Sequence, residues 1–261
     1  SKFQETVFQK AFHAVGEDIA NTSYDASLVV DEQHKYLVGI KSFGLDSGDQ
    51  KIAQFKKDSQ SWNELLSEIR FHAEISPDKE TADKENRARY EKLAREIATL
   101  RNQRIESSKA LIKGFHSDSS HVEAVYHVLM PTSKGHKPQI HVGETTYLPV
   151  DLDHLKILGS TTKNNPTNFR FTDGHHDYKY TAADSQLHMT FRNKEIVVDT
   201  WDVNYVEDPF YLFEHLHLLT SEKSDSEILE TVSLVITDQH GNVEENSGFN
   251  AFNGGSKLAK K

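Results

Sequence analysis

A chain of 261 residues, 36% hydrophobic and 27% charged, has enough apolar material for a substantial core and enough charge for an ordered, water-soluble protein. It contains no cysteine, which excludes disulfides, thiolate nucleophiles and thiolate zinc sites. The net charge of −10 argues against a simple polyanion binder, yet it is unevenly spread: Asp199 to Glu245 holds twelve acids and one base, whereas Lys79 to Lys113 holds ten bases and six acids. Nucleic-acid affinity follows local phosphate contacts, so a basic groove can coexist with an acidic back. No apolar run approaches the ~20 residues that span a bilayer, and the first residues carry no signal-peptide pattern. No membrane partner and a cytoplasmic location are therefore expected.

In chain order, Phe3, Val7, Phe8, Ala11, Phe12, Val15 and Ile19 recur at helical spacing, predicting an amphipathic helix over 3–20. Asn21-Thr22-Ser23 breaks it. Residues 24–30 read as a buried strand, 31–35 as a polar turn and 36–43 as the returning strand of a hairpin. Ser47-Gly48-Asp49 reads as the cap of a second helix that starts near Gln50 and runs, with interruptions, to Ile75. Ser76-Pro77-Asp78 is a break. A long helix over 79–115 follows and closes at Gly114. It reads first as a solvated scaffold helix; a dimer contact or a Lys/Arg face against phosphates are the alternatives, and its heptad is not sustained enough for a coiled coil.

From residue 120 to 200 the pattern turns to short strands, with Asp173-Gly174 as a hairpin signal between Phe169-Arg170-Phe171 and Tyr178-Lys179-Tyr180. A helix over 212–219 and a strand over 231–237 complete the expected elements. The whole is read as one domain, 1–261.

The chemistry concentrates on the first hairpin. It brings the start of one strand beside the end of the other, so that Asp25 and Lys41 meet. A carboxylate and an amine at such a corner can hold a divalent metal and activate a water for phosphodiester cleavage; the bland alternative is a surface ion pair. Among fifteen histidines there is no HExxH pair, and most are expected to be structural or solvated. The sequence also lacks a Walker loop, a GxGxxG turn and a GxSxG elbow.

The Asp25/Lys41 hairpin, with a helix before it and another after it, resembles the PD-(D/E)XK nuclease superfamily and, within it, the type II restriction endonucleases. Val38-Gly39-Ile40-Lys41-Ser42-Phe43-Gly44 with Lys51-Ile52-Ala53-Gln54-Phe55, and the segment Gly241 to Asn250, are similar to stretches of such enzymes. The resemblance implies an α/β fold, a mixed central β-sheet flanked by α-helices with additional antiparallel hairpins. It implies Mg²⁺-dependent cleavage of double-stranded DNA at a short specific sequence by a homodimer, since a palindromic site mirrors a two-fold protein. Asp25 would bind the metal, and Lys41 would position or deprotonate the attacking water.

The family normally has an acid two residues before the lysine, and here that position is Gly39. Relocation of the acid onto the following helix makes Gln54 the replacement, through its carbonyl oxygen, with Glu17 and then Asp49 as further candidates. Asp31 lies in the turn, away from Lys41. Base and backbone contacts are expected from Lys163, Asn165, Arg170, His175, Lys179 and Arg192 in the strand-rich part, and from Ser247 and Asn250 near the end. Two other functions compete: a nuclease-fold DNA- or RNA-binding protein that has lost cleavage, and an interaction module with an acidic C-terminal face.

Overall fold

The computed structural model describes residues 2–16, 23–31, 34–111, 122–133 and 135–203. The chain divides into two units, 1–205 and 206–261, and every element named below belongs to the first. The expected helix over 212–219, the strand over 231–237, Glu17, Ser247 and Asn250 lie outside the described residues.

Two sheets and three α-helices make up the described α/β unit. The first sheet runs in the order β1 (Val15–Gly16), β2 (Ala26–Val29), β3 (Lys35–Ser42), β5 (Val122–Pro131), β6 (Gln139–Thr146) and β11 (Val197–Asp202). It is mixed: β3 and β5 are parallel and every other pair is antiparallel. A parallel pair needs a crossover, and residues 43–121 supply it through β4 (Gln50–Gln54), a 3₁₀ turn (Ser59–Trp62), α2 (Asn63–Ile75) and α3 (Lys79–Leu111). The second sheet is antiparallel throughout, in the order β4, β10 (Gln186–Met189), β9 (Asp177–Thr181), β8 (Asn165–Thr172) and β7 (Lys156–Thr162).

One core joins both sheets to α3. Leu37, Tyr126, Val128 and Met130 come from the first sheet; Phe169, Phe171, Tyr178, Tyr180, Leu187 and Met189 come from the second. Tyr90, Leu93, Ala94, Ile97, Ala98 and Ile105 form a stripe at three- and four-residue spacing on α3 and are fully buried against these strands. The expectation of a solvated scaffold helix is thus corrected: the charged face hid how complete the buried stripe is. The opposite face of the first sheet is covered by α1 (Lys2–Phe12), whose Phe8 packs with Ala26, Val38 and Ile40.

Two predicted elements differ. The first helix ends at Phe12, where His13 takes a left-handed φ of 54°, and Val15–Gly16 pairs with Ser27 and Ala26 instead. The segment from Gln50 is a strand, not a helix, because Asp49 caps nothing: its carboxylate is held by Arg170, Lys179 and Thr190 of the second sheet. Among the described residues no helix is long and apolar enough to cross a membrane.

Candidate active site

The hairpin forms as its alternation predicts, with Ala26 opposite Val38 and Val29 opposite Lys35. Asp31 shapes the turn by accepting the His34 N–H at 2.8 Å. At the other end β2 leaves the ladder. There the Asp25 N–H still donates to the Val38 carbonyl at 2.9 Å, and Asp25 Oδ2 accepts the Ile40 N–H at 2.6 Å, doing the work of a strand carbonyl. This bond uses one carboxylate oxygen and leaves Oδ1 for another partner.

Lys41 lies two residues beyond Gly39 on β3, opposite Val128 of β5. Burial drives its ammonium below the ordinary lysine value, Asp25 opposes that shift, and Arg101 and Lys51 add to it. Among the described residues no carboxylate lies within the 4.0 Å of an ion pair with it. A half-buried amine of lowered basicity, under the influence of a carboxylate yet not locked to it, is suited to accept a proton from water or to stabilise a developing anion.

The absence of an acid at Gly39 has a structural cause. A Cβ there would lie 2.9 Å from Tyr147 Cε1 and 3.0 Å from Tyr126 Cδ1. These two rings stack at a centroid distance of 4.0 Å and 11° between planes. The stack is fixed from three sides: Arg101 sits 5.0 Å from the Tyr147 centroid, Arg101 Nη2 donates to the Tyr126 hydroxyl at 3.1 Å, and the Tyr147 hydroxyl donates to the Ser23 carbonyl at 3.0 Å. Aromatic rings therefore occupy the space that an acidic side chain at position 39 would need.

The candidate replacements fare differently. Gln54 lies on β4, where its amide donates to the Asp184 carbonyl at 3.0 Å and its own main-chain carbonyl accepts Arg104 Nη1 at 2.7 Å. It belongs to the edge of the second sheet, not to a helix following the lysine. Asp49 is committed to its ion pairs: burial would raise it, but bonds from Arg170, Thr190 and Lys179 overcome this and hold it at about 2. Glu5, on α1, is the weakest of the influences on the Lys41 amine and raises it slightly along with Asp25. Its helix packs through Phe8 on the Val38 and Ile40 face of the sheet.

Among the described residues no group of three or more His, Asp or Glu side chains could hold a metal by itself. Mg²⁺ is nevertheless commonly held by one or two carboxylates, with waters and substrate phosphate oxygens completing its octahedron. Asp25, with Oδ2 on the Ile40 N–H, is the carboxylate that the hairpin brings to Lys41.

The residues expected to read DNA do not converge on one surface. Lys51, His188, Lys179 and Arg170 stand directly opposite one another in a row across β4, β10, β9 and β8. Asp49 bridges Arg170 and Lys179, while burial, reinforced by Lys179, pushes His188 below the ordinary imidazole value. Arg170 and Lys179 are thus tied to a shared carboxylate within the sheet, although the row still holds more cations than Asp49 balances. Lys163 donates to the Pro77 carbonyl at 2.9 Å, and the Asn165 N–H donates to Thr162 Oγ1 at 3.2 Å, both at the β7–β8 end. At the opposite end, the N–H of His175 donates to Asp173 at 3.0 Å, and Arg192 faces Asp177 at 3.7 Å.

Cations gather elsewhere. A groove of about 910 Å³ between α3 and β4 is lined by Lys56, Lys57, Arg101 and Arg104, with Asp58 as its one acid. Tyr147 lines this groove and packs against Gly39, two residues before Lys41, so the groove adjoins the hairpin. No family model, curated protein or solved structure matches this chain.

Proposed function

We propose that the protein is a Mg²⁺-dependent nuclease of the type II restriction kind, which hydrolyses double-stranded DNA at a short specific sequence. The observation that carries the reading is the half-buried Lys41 amine, lowered in basicity and acted on by Asp25, at the open end of a paired hairpin whose Asp25 carboxylate is held on the Ile40 N–H. That hairpin lies in a mixed sheet with α1 on one face and α3 on the other, the setting the resemblance implies.

Asp25, through Oδ1, would hold the ion, with waters and substrate phosphate oxygens completing its shell. When bound, Mg²⁺ lowers the pKa of water and polarises a phosphoryl oxygen. The neutral Lys41 amine takes a proton from the attacking water; in its protonated form it faces the charge that builds on the phosphorane. Water adds to phosphorus, the bond to the leaving oxygen breaks, and that oxygen leaves with a proton. A homodimer follows if the site is palindromic, because two-fold DNA is matched by a two-fold protein.

The aromatic stack at Gly39 favours one second reading, a nuclease fold that binds nucleic acid without cutting it. Digestion of a mapped plasmid with Mg²⁺, followed by end mapping, separates the two. Discrete fragments with a common end sequence are expected; intact plasmid across a series of divalent metals, with binding retained, would favour the second.

A further inference from the structure

We propose that the groove between α3 and β4 carries the phosphodiester backbone of the DNA strand that reaches Lys41. The identity of this polyanion rests on the nuclease reading; the groove itself is argued from its own residues.

Its charge runs against the rest of the molecule. In a chain of net charge −10, this groove collects Lys56, Lys57, Arg101 and Arg104 against Asp58 alone. Arg104 is already placed, with Nη1 on the Gln54 carbonyl at 2.7 Å and its guanidinium 4.6 Å from the Phe55 ring centroid. Its Nη2 also reaches Asp58 at 3.4 Å, so Arg104 is a fixed wall whose charge Asp58 partly balances. Lys56 and Lys57 are exposed beside it and, among the described residues, make no ion pair.

The floor supplies the independent observation. Arg101 is 2% exposed, and its Nε has no hydrogen-bond partner. Its neighbours are tyrosines, not carboxylates, and burial pushes the Tyr126 hydroxyl well above its ordinary value despite the pull of Arg101, so that hydroxyl stays neutral. A guanidinium this deep normally has an anionic partner. Arg101 lies at the floor of the groove, where Ser107 adds a hydroxyl of the kind that binds phosphate oxygens, while the Ser23 and Ser108 hydroxyls donate to the Arg104 carbonyl. A phosphate backbone across the mouth matches the excess of cations over Asp58 and gives the buried guanidinium an anion nearby.

The test is binding of a fluorescent duplex in EDTA, where metal-dependent cleavage is silent, at salt from about 50 to 200 mM. The double variant Lys56→Ala/Lys57→Ala changes exposed side chains and keeps the fold. Loss of two phosphate contacts lowers the salt slope by about 2, so affinity falls across that range by roughly tenfold less than in the unaltered protein. The control variant Lys84→Ala/Arg87→Ala, on the exposed face of α3, keeps the slope. An unchanged slope in the groove variant, or no binding by the unaltered protein at the lowest salt, overturns the proposal. Cleavage by the unaltered protein with an unchanged groove slope removes the groove and leaves the nuclease. A lost slope with no cleavage under any divalent metal removes the nuclease and leaves the groove.

Discussion

Asp49→Asn tests whether Arg170 and Lys179 are structural or free to read bases. The Asp49 carboxyl is 9% exposed and receives Arg170, Lys179 and Thr190. It is held at about 2 against an ordinary 3.8. A difference near two pH units, at 1.36 kcal/mol per unit, corresponds to about 2 kcal/mol of stability. The sign follows from the direction: a depressed carboxyl stabilises the fold above pH 3.8, and that stability is lost as the pH falls toward 2. The amide keeps an acceptor for Thr190 but leaves Arg170 and Lys179 as like charges directly opposite across β8 and β9, which is itself unfavourable. Urea melts at pH 7 should show the variant about 2 kcal/mol less stable, with a melting temperature lower by roughly 4–8 °C. In acid the unaltered protein should show a loss between pH 4 and 2 that the variant lacks. Equal stability at pH 7, or the same acid response in both, would refute the cluster and return Arg170 and Lys179 to DNA recognition.

Gly39→Ala should destabilise by about 1–3 kcal/mol in the same assay, because its Cβ meets a stack that Arg101 and Ser23 hold in place; a stabilised variant would show the rings free to move. Gln54→Ala should leave the Mg²⁺ dependence of cleavage unchanged, since its amide is spent on the Asp184 carbonyl; a raised Mg²⁺ requirement would put Gln54 back among the ligands. Asn102→Ala should cost about 2–3 kcal/mol, because the Asn102 amide both donates to the Val150 carbonyl and accepts its N–H, each at 2.8 Å, and the variant leaves both buried groups unpaired. Hydrogen exchange at Val150 would locate that loss.

What the sequence makes legible is local. The β2–β3 hairpin is visible because alternation and the Asp31 turn act within twenty residues. The β8–β9 hairpin is visible because Asp173-Gly174 offers the turn that Phe169 opposite Tyr180 requires. What it hides is long-range. Asp49 looks like a helix cap until its partners, more than a hundred residues away, claim the carboxylate and Gln50 continues as a strand. Tyr147 reaches Gly39 by folding back across β5, so nothing near Gly39 announces why an acid cannot stand there. Asp25 and Lys41 are legible as neighbours because a single hairpin joins them. The end of the first helix at Phe12 is not, because the apolar spacing continues past His13 to residue 19.

The most direct test is single-turnover plasmid cleavage with Mg²⁺ by Asp25→Asn and Lys41→Met. Asparagine keeps the oxygen that accepts the Ile40 N–H, and methionine replaces a half-buried amine whose charge its surroundings disfavour, so both variants should fold. Each should cut at least about 100-fold more slowly than the unaltered protein while binding duplex within a few-fold. Cleavage at the unaltered rate by either variant would contradict the assignment of Asp25 and Lys41 as the catalytic pair.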